Sequence, residues 1–194
     1  LVIVLYALLP FFMAFEGRKP EVRELVVLAT MIALATAGRA AFFMTPSFKP
    51  IIAIVIISAI AFGAEAGFLV GSMTMLVSNF LFGQGPWTPW QMFAMGFIGF
   101  LSGILYRLRI LPTKRLQLSV YGFLVTFMIY GGIMNPAALF MSVYQFSWSG
   151  LLAIYISGVP VDLVHASSTF LFLWIGAKPL LEKLQRIKVK YGLL

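Results

Sequence analysis

Long apolar runs alternate with short polar breaks along this chain, and the breaks place its elements. Leu1–Phe15 is apolar, begins without a methionine or a basic leader, and ends at the charged break Glu16–Arg23 with Pro20. That start argues against an intact secretory signal and places the first residue inside a hydrophobic segment. Leu25–Met44 follows with about 20 residues, enough to cross roughly 30 Å of hydrocarbon as a helix. Thr45–Pro50 is a turn with two prolines. Ile51–Phe62 is apolar but short, and Gly63–Gly67 predicts a turn into the helix Phe68–Phe82.

The second half follows the same rule. A loop at Gly83–Pro89 leads into Trp90–Leu108, and the basic break Arg107–Arg115 contains Pro112. Leu116–Met134 is a clean span, while Asn135–Ser147 is less apolar and predicts a loop. The last apolar stretch, Trp148–Ala177, is too long for one straight crossing at about 1.5 Å per residue. Gly158 and Pro160 predict a break there, with Trp148–Ser157 along the surface and Val161–Ile175 crossing. Lys178–Leu194 is a basic, amphipathic tail.

Two stripes of small residues stand out at helical spacing. Gly63, Gly67 and Gly71 lie four apart and predict a smooth face that another helix can approach closely. Ala29, Ala33 and Ala37 repeat the spacing on the preceding long helix. This second stripe packs inside the bundle or forms a docking face for another membrane protein.

Composition and charge fix class and orientation. The chain is 61% hydrophobic and 10% charged, which defines an all-α integral membrane protein. With no cysteine, disulfide and thiolate chemistry are excluded. The net charge of +8 has no solvated basic face on which to bind nucleic acid. It sits instead at membrane-flanking positions. If the first segment starts outside, the inner breaks hold Arg18, Lys19 and Arg23, then Arg107, Arg109, Lys114 and Arg115, then Lys178, Lys183, Arg186, Lys188 and Lys190. Of the fourteen basic residues only Arg39 and Lys49 then face outward. The N-terminus is thereby expected outside and the C-terminus in the cytoplasm, with Thr45–Pro50, Gly83–Pro89 and Asn135–Ser147 gathered on the outer face.

Candidate chemistry is sparse. There is no GxxxxGK[ST] loop to cradle ATP, and one histidine with six acids leaves little for a metal site. Ser147-Trp148-Ser149-Gly150 lacks the leading glycine of a rhomboid-type protease. Only Asp162 and His165 resemble the intramembrane ionisable pair of an ion-coupled carrier. Trp87, Trp90 and Trp148 are either interfacial anchors or, beside Gln84, Asn135, Tyr144 and Gln145, the aromatic and amide wall of an outer binding surface. Arg39 snorkels, forms an internal pair or binds substrate. Asp162 follows Pro160 at an expected helix start and shares a face with His165. An Asp162–His165 contact or a ligand contact follows from that placement.

The alanine stripe, Gly38-Arg39-Ala40-Ala41-Phe42-Phe43, the Gly63–Gly71 region, Phe82-Gly83-Gln84-Gly85-Pro86-Trp87-Thr88-Pro89-Trp90-Gln91, and Gly158-Val159-Pro160-Val161-Asp162-Leu163-Val164-His165-Ala166 together resemble a substrate-binding S component of an energy-coupling factor (ECF) vitamin transporter. The cobalamin-associated branch is the most similar. The resemblance covers most of Glu21–Ala177. It implies a six-helix core at 22–177 within one membrane domain over residues 1–194 that ends in a basic cytoplasmic tail at 178–194; the extra apolar segment at 1–15 departs from the family pattern. It also implies a bacterial plasma-membrane protein that captures cobalamin or a related corrinoid from outside. Expected substrate contacts are Arg39, Phe43, Phe48, Gln84, Trp87, Trp90, Asn135, Tyr144, Gln145, Trp148, Asp162 and His165. Ala29, Ala33 and Ala37 would meet a transmembrane coupling protein, and two ATPase subunits would supply the energy, so this chain has no catalytic residue and no cofactor. A stand-alone secondary carrier, a structural membrane subunit and an S component for a different vitamin are the competing readings.

Overall fold

A computed structural model describes residues 2–17, 19–142 and 146–192 of the chain. Among them the elements are helical throughout: α1 (Val2–Gly17), α2 (Val22–Ala41), α3 (Ile51–Phe62), α4 (Ala64–Phe82), α5 (Thr88–Arg107), α6 (Arg115–Val125), a π-helical turn (Thr126–Tyr130), α7 (Gly131–Ser142) and α8 (Trp148–Tyr191). Since α6, the π turn and α7 run on as one rod, the chain forms a six-segment bundle, α2 to α8, with α1 added at the front. Five of these rods are long and apolar enough to cross a membrane, and the protein is an all-α, multi-pass membrane protein.

The bundle is built around α3. Every residue of this helix is buried, and its only hydroxyl, Ser58 Oγ, donates to the Ile54 carbonyl four residues back. A helix apolar all round can sit only where neighbours cover every face. Dispersion between close-packed side chains then holds it, because lipid offers no hydrophobic gain over protein. Helices α2, α4, α5 and α8 surround it.

The glycine spacing does what steric reasoning expects, against α5. A Cβ at Gly67 would meet the Ala59 side chain and the Gly99 carbonyl, and one at Gly71 would strike the Met95 carbonyl. The predicted turn Gly63–Gly67 is shorter in the structure. Gly63 alone, at φ +96°, separates α3 from α4, a conformation that glycine adopts without strain. On the other flank, α1 packs its Phe11 and Phe12 on Phe68, and Phe11 also meets Phe100 edge-on.

Two expected breaks are absent. Asn135–Ser142 is helix rather than loop, with Pro136 inside α7. The 44-residue α8 runs unbroken through Gly158, Pro160 and Pro179 into the basic tail. Gly158 answers to packing instead: a Cβ there would lie 2.5 Å from Asn135 Oδ1. At about 1.5 Å per residue α8 is roughly 66 Å long, about twice the hydrocarbon thickness, so it reaches well past the apolar slab. Its far end closes the bundle, with Lys188 Nζ donating to the Ala61 carbonyl at 2.6 Å.

Candidate functional site

A cavity of about 370 Å³ opens at the end of the bundle where α2 finishes and α3 and α5 begin. Its walls come from these three helices, α4, the connection at 42–50, the π turn, α7 and α8. The volume lies in the range of about 300–1,000 Å³ that small-molecule sites occupy.

Both cations at the cavity are tied down. Arg39, in the last turn of α2, donates from one nitrogen to Ser78 Oγ and Asn79 Oδ1, each at 2.6 Å. The buried Asn79 amide donates onward to Gln91 Oε1 at 2.8 Å and Thr88 Oγ1 at 3.0 Å, which ties α2, α4 and α5 together. Lys49 Nζ donates to the carbonyls of Phe42 at 2.9 Å and Thr45 at 2.8 Å, folding its own connection closed. Ser168 on α8 then donates to the Lys49 carbonyl at 2.9 Å. Partial burial, and secondarily the charge of Arg39, hold the Lys49 ammonium below its usual pKa.

The opposite wall is the α7–α8 seam. Asn135 Nδ2 donates to Asp162 Oδ2 at 2.7 Å. Asp162 stands in mid-helix, so the expected placement at a helix start is corrected and no helix N-terminus favours its charge. Its hydrogen bond goes to Asn135, while the His165 ring meets Tyr130 edge-on at 4.7 Å. The π turn, anchored by Thr126 Oγ1 on the Gly122 carbonyl and on Thr169, ends at Tyr130 and delivers that ring to the cavity. Single π turns recur where a helix must re-aim a side chain at a functional site. Met75, Met95 and Met134 add polarizable, adaptable apolar surface.

Of the residues expected from sequence to touch substrate, Arg39, Asn135, Asp162 and His165 meet at this cavity. Trp87 packs its ring over Gly85 within its own loop, and Gln84 Nε2 donates to the Leu76 carbonyl. Phe43 stacks on Phe82, Phe48 packs on Phe42 and Phe172, and Trp148 is exposed beside Phe146. None of these, nor Trp90, lines the cavity. Tyr144 and Gln145 lie outside the described residues. Sequence reasoning passed over Ser47, Lys49, Gln91 and Tyr130. Two of them left a trace: Lys49 was the second outward cation, and Gln91 closed the aromatic run after Trp90. Tyr130 sits in an apolar span whose π turn has no signature in composition.

A multi-pass helical membrane protein with a ligand-sized cavity at one end of its bundle has the build of a solute-binding membrane protein. The profile of the family described as ECF-type riboflavin transporter, S component, matches residues 19–186, and the chain belongs to that family. S components are the non-catalytic, substrate-binding subunits of ECF vitamin transporters. The match starts after α1. No curated protein and no solved structure matches the chain significantly.

Proposed function

We propose that this protein captures riboflavin, or a neutral vitamin of the same flat heteroaromatic class, from the outer face of a bacterial plasma membrane. The observation that carries this reading is the match to the riboflavin-type S-component family over residues 19–186. The cavity supports it. At about 370 Å³ it suits a tricyclic ring with a short polyol tail. A corrinoid, with its macrocycle, amide arms and axial nucleotide, is far larger, so the cobalamin reading gives way here.

Chemistry points the same way. Tyr130, His165 and the three methionines give flat, polarizable walls to a ring system. Gln91, Asn135, Asp162 and Ser47 offer donors and acceptors to ring amides and ribityl hydroxyls. Arg39 and Lys49 spend part of their donor capacity on the protein, and the Asp162 carboxyl lines the same cavity, which suits an uncharged ligand better than a phosphorylated one. Arg39, Asn135, Asp162 and His165, with Lys49, Gln91 and Tyr130, are the residues we assign to binding.

In the same reading, Ala29, Ala33 and Ala37 form the docking face for a transmembrane coupling protein that joins the chain to two ATPase subunits. All three alanines are exposed on α2, away from the bundle. A stripe without side-chain bulk, turned outward, suits close approach by a partner helix. Uptake of labelled riboflavin tests the assignment: cells should accumulate it when the chain is co-expressed with the coupling protein and ATPases, and not when it is expressed alone. Accumulation by the chain alone would instead establish a secondary carrier.

A further inference from the structure

The opposite end of the bundle holds a second built feature. Two adjoining cavities, of about 510 and 410 Å³, share Tyr106 and Thr113. They form one groove between the ends of α3 and α5, the break after α5, and the last third of α8. Ile60, Ala61 and Leu181 give the groove an apolar side. Arg186 on α8 and Arg107 and Arg109 at the end of α5 give it a cationic one. Arg109 is held in the left-handed region at φ +60°, and the amides of both Ile110 and Leu111 close on the Leu105 carbonyl, so the chain turns back tightly beside Tyr106.

Two neighbouring cations at this end already have partners. Arg115 donates to the Trp174 carbonyl and lies over that indole at 4.4 Å, and Lys188 is bound to Ala61. The side chains of Arg107, Arg109 and Arg186 make no hydrogen bond, ion pair or ring contact among the described residues. Three unengaged guanidiniums around an apolar trough match a ligand that carries an anionic oxygen cluster and a hydrocarbon chain on the same molecule. Guanidinium is the side chain whose planar fork fits phosphate oxygens in pairs. Glu182 also lines the groove and leaves a net positive rim against which it can accept from a headgroup hydroxyl.

We propose that this groove binds an anionic phospholipid of the cytoplasmic leaflet. Its phosphodiester is held by Arg107, Arg109 and Arg186, and one acyl chain lies along Ile60, Ala61 and Leu181. The inference rests on the inside orientation of this end, drawn from its basic residues, and not on the identity of the vitamin. Basic recesses between membrane helices on the cytoplasmic side provide the geometry for such headgroups.

Native mass spectrometry of the purified, detergent-solubilised chain tests it with added phosphatidylglycerol, phosphatidylethanolamine and phosphatidylcholine. Phosphatidylglycerol should bind saturably and at least about tenfold more tightly than the two zwitterionic lipids. The variant Arg107→Gln/Arg109→Gln/Arg186→Gln should lose that preference. Lys178→Gln/Lys183→Gln/Lys190→Gln, which removes as much charge from residues that do not line the groove, should keep it. A monodisperse size-exclusion profile and cooperative thermal unfolding in detergent report folding of each variant, and Arg186→Gln alone, exposed on α8, serves if the triple variant does not fold. Equal binding of the three lipids, retention of the preference without the arginines, or its loss in the lysine variant would overturn the proposal. Competition by soluble glycerol 3-phosphate would assign the groove to free phosphate and overturn it as well.

Discussion

Asn135 and Asp162 interlock α7 and α8 at the cavity wall. The Asn135 amide donates to the carboxylate at 2.7 Å, and each side chain fills the space above a glycine of the other helix. A Cβ at Gly131 would lie 2.6 Å from Asp162 Oδ2, and one at Gly158 would lie 2.5 Å from Asn135 Oδ1. The pair therefore sets the helix spacing and presents polar atoms to the cavity.

Asn135→Ala should lower riboflavin affinity roughly ten- to a hundredfold, because a ligand group that loses its amide partner on entering the cavity is left unsatisfied at a cost of about 1–3 kcal/mol. Gly158→Ala should produce part of the same loss by pushing the Asn135 amide aside, and should lower thermal stability as the bond to Asp162 weakens. Ligand titration of the two purified variants, alongside thermal unfolding, checks both. Unchanged affinity in Asn135→Ala would remove the seam from the site.

Arg39 is expected to be structural first and ligand-facing second. Arg39→Met leaves Asn79 Oδ1 and Ser78 Oγ without their charged donor and should cost on the order of 1.5–3 kcal/mol of stability. Arg39→Lys should recover part of it, since one ammonium can still reach both acceptors with poorer geometry. Thermal unfolding in detergent reads the difference. Equal stability of the methionine variant and the parent would show that the network carries no weight.

The segmentation and helical class were legible in the sequence because apolar runs and basic breaks report the bilayer directly. The glycine stripe was legible for a related reason: Gly67 and Gly71 allow a contact that any side chain would block. The breaks at Gly158 and Asn135 misled, since a glycine or proline inside an apolar run reads as a turn when its packing partner is unseen. Site residues were harder. Trp87 and Gln84 looked like a binding loop by residue type, yet their contacts close within that loop and on α4. Gln91, Lys49 and Tyr130 converge only through the tertiary fold, which spacing along the chain does not encode. Trp87→Ala should accordingly change riboflavin affinity by less than about threefold, against roughly ten- to a hundredfold for removal of a substrate-contacting aromatic.

Ala33→Leu should abolish co-purification with the coupling protein and ATPases while the isolated chain still binds riboflavin. The leucine projects from an exposed stripe, so it blocks a neighbour without disturbing the bundle. Intact assembly and uptake in the variant would move the docking face elsewhere.

Thr113 and Gly192 should both face the cytoplasm. Single cysteines at these positions should resist an impermeant thiol reagent on intact cells and react after permeabilisation. Labelling of either from outside would invert the bundle, and with it the outer placement of the cavity.

This chain alone should recognise a riboflavin-sized vitamin in the cavity between Arg39 and Asp162. Equilibrium titration of the purified chain, without ATP or partners, against riboflavin, cobalamin, thiamine and folate tests it most directly. Saturable binding of riboflavin at one molecule per chain, weakened by Asn135→Ala and absent for cobalamin, is the predicted result. Tight binding of cobalamin in its place, or no binding of riboflavin, would contradict it.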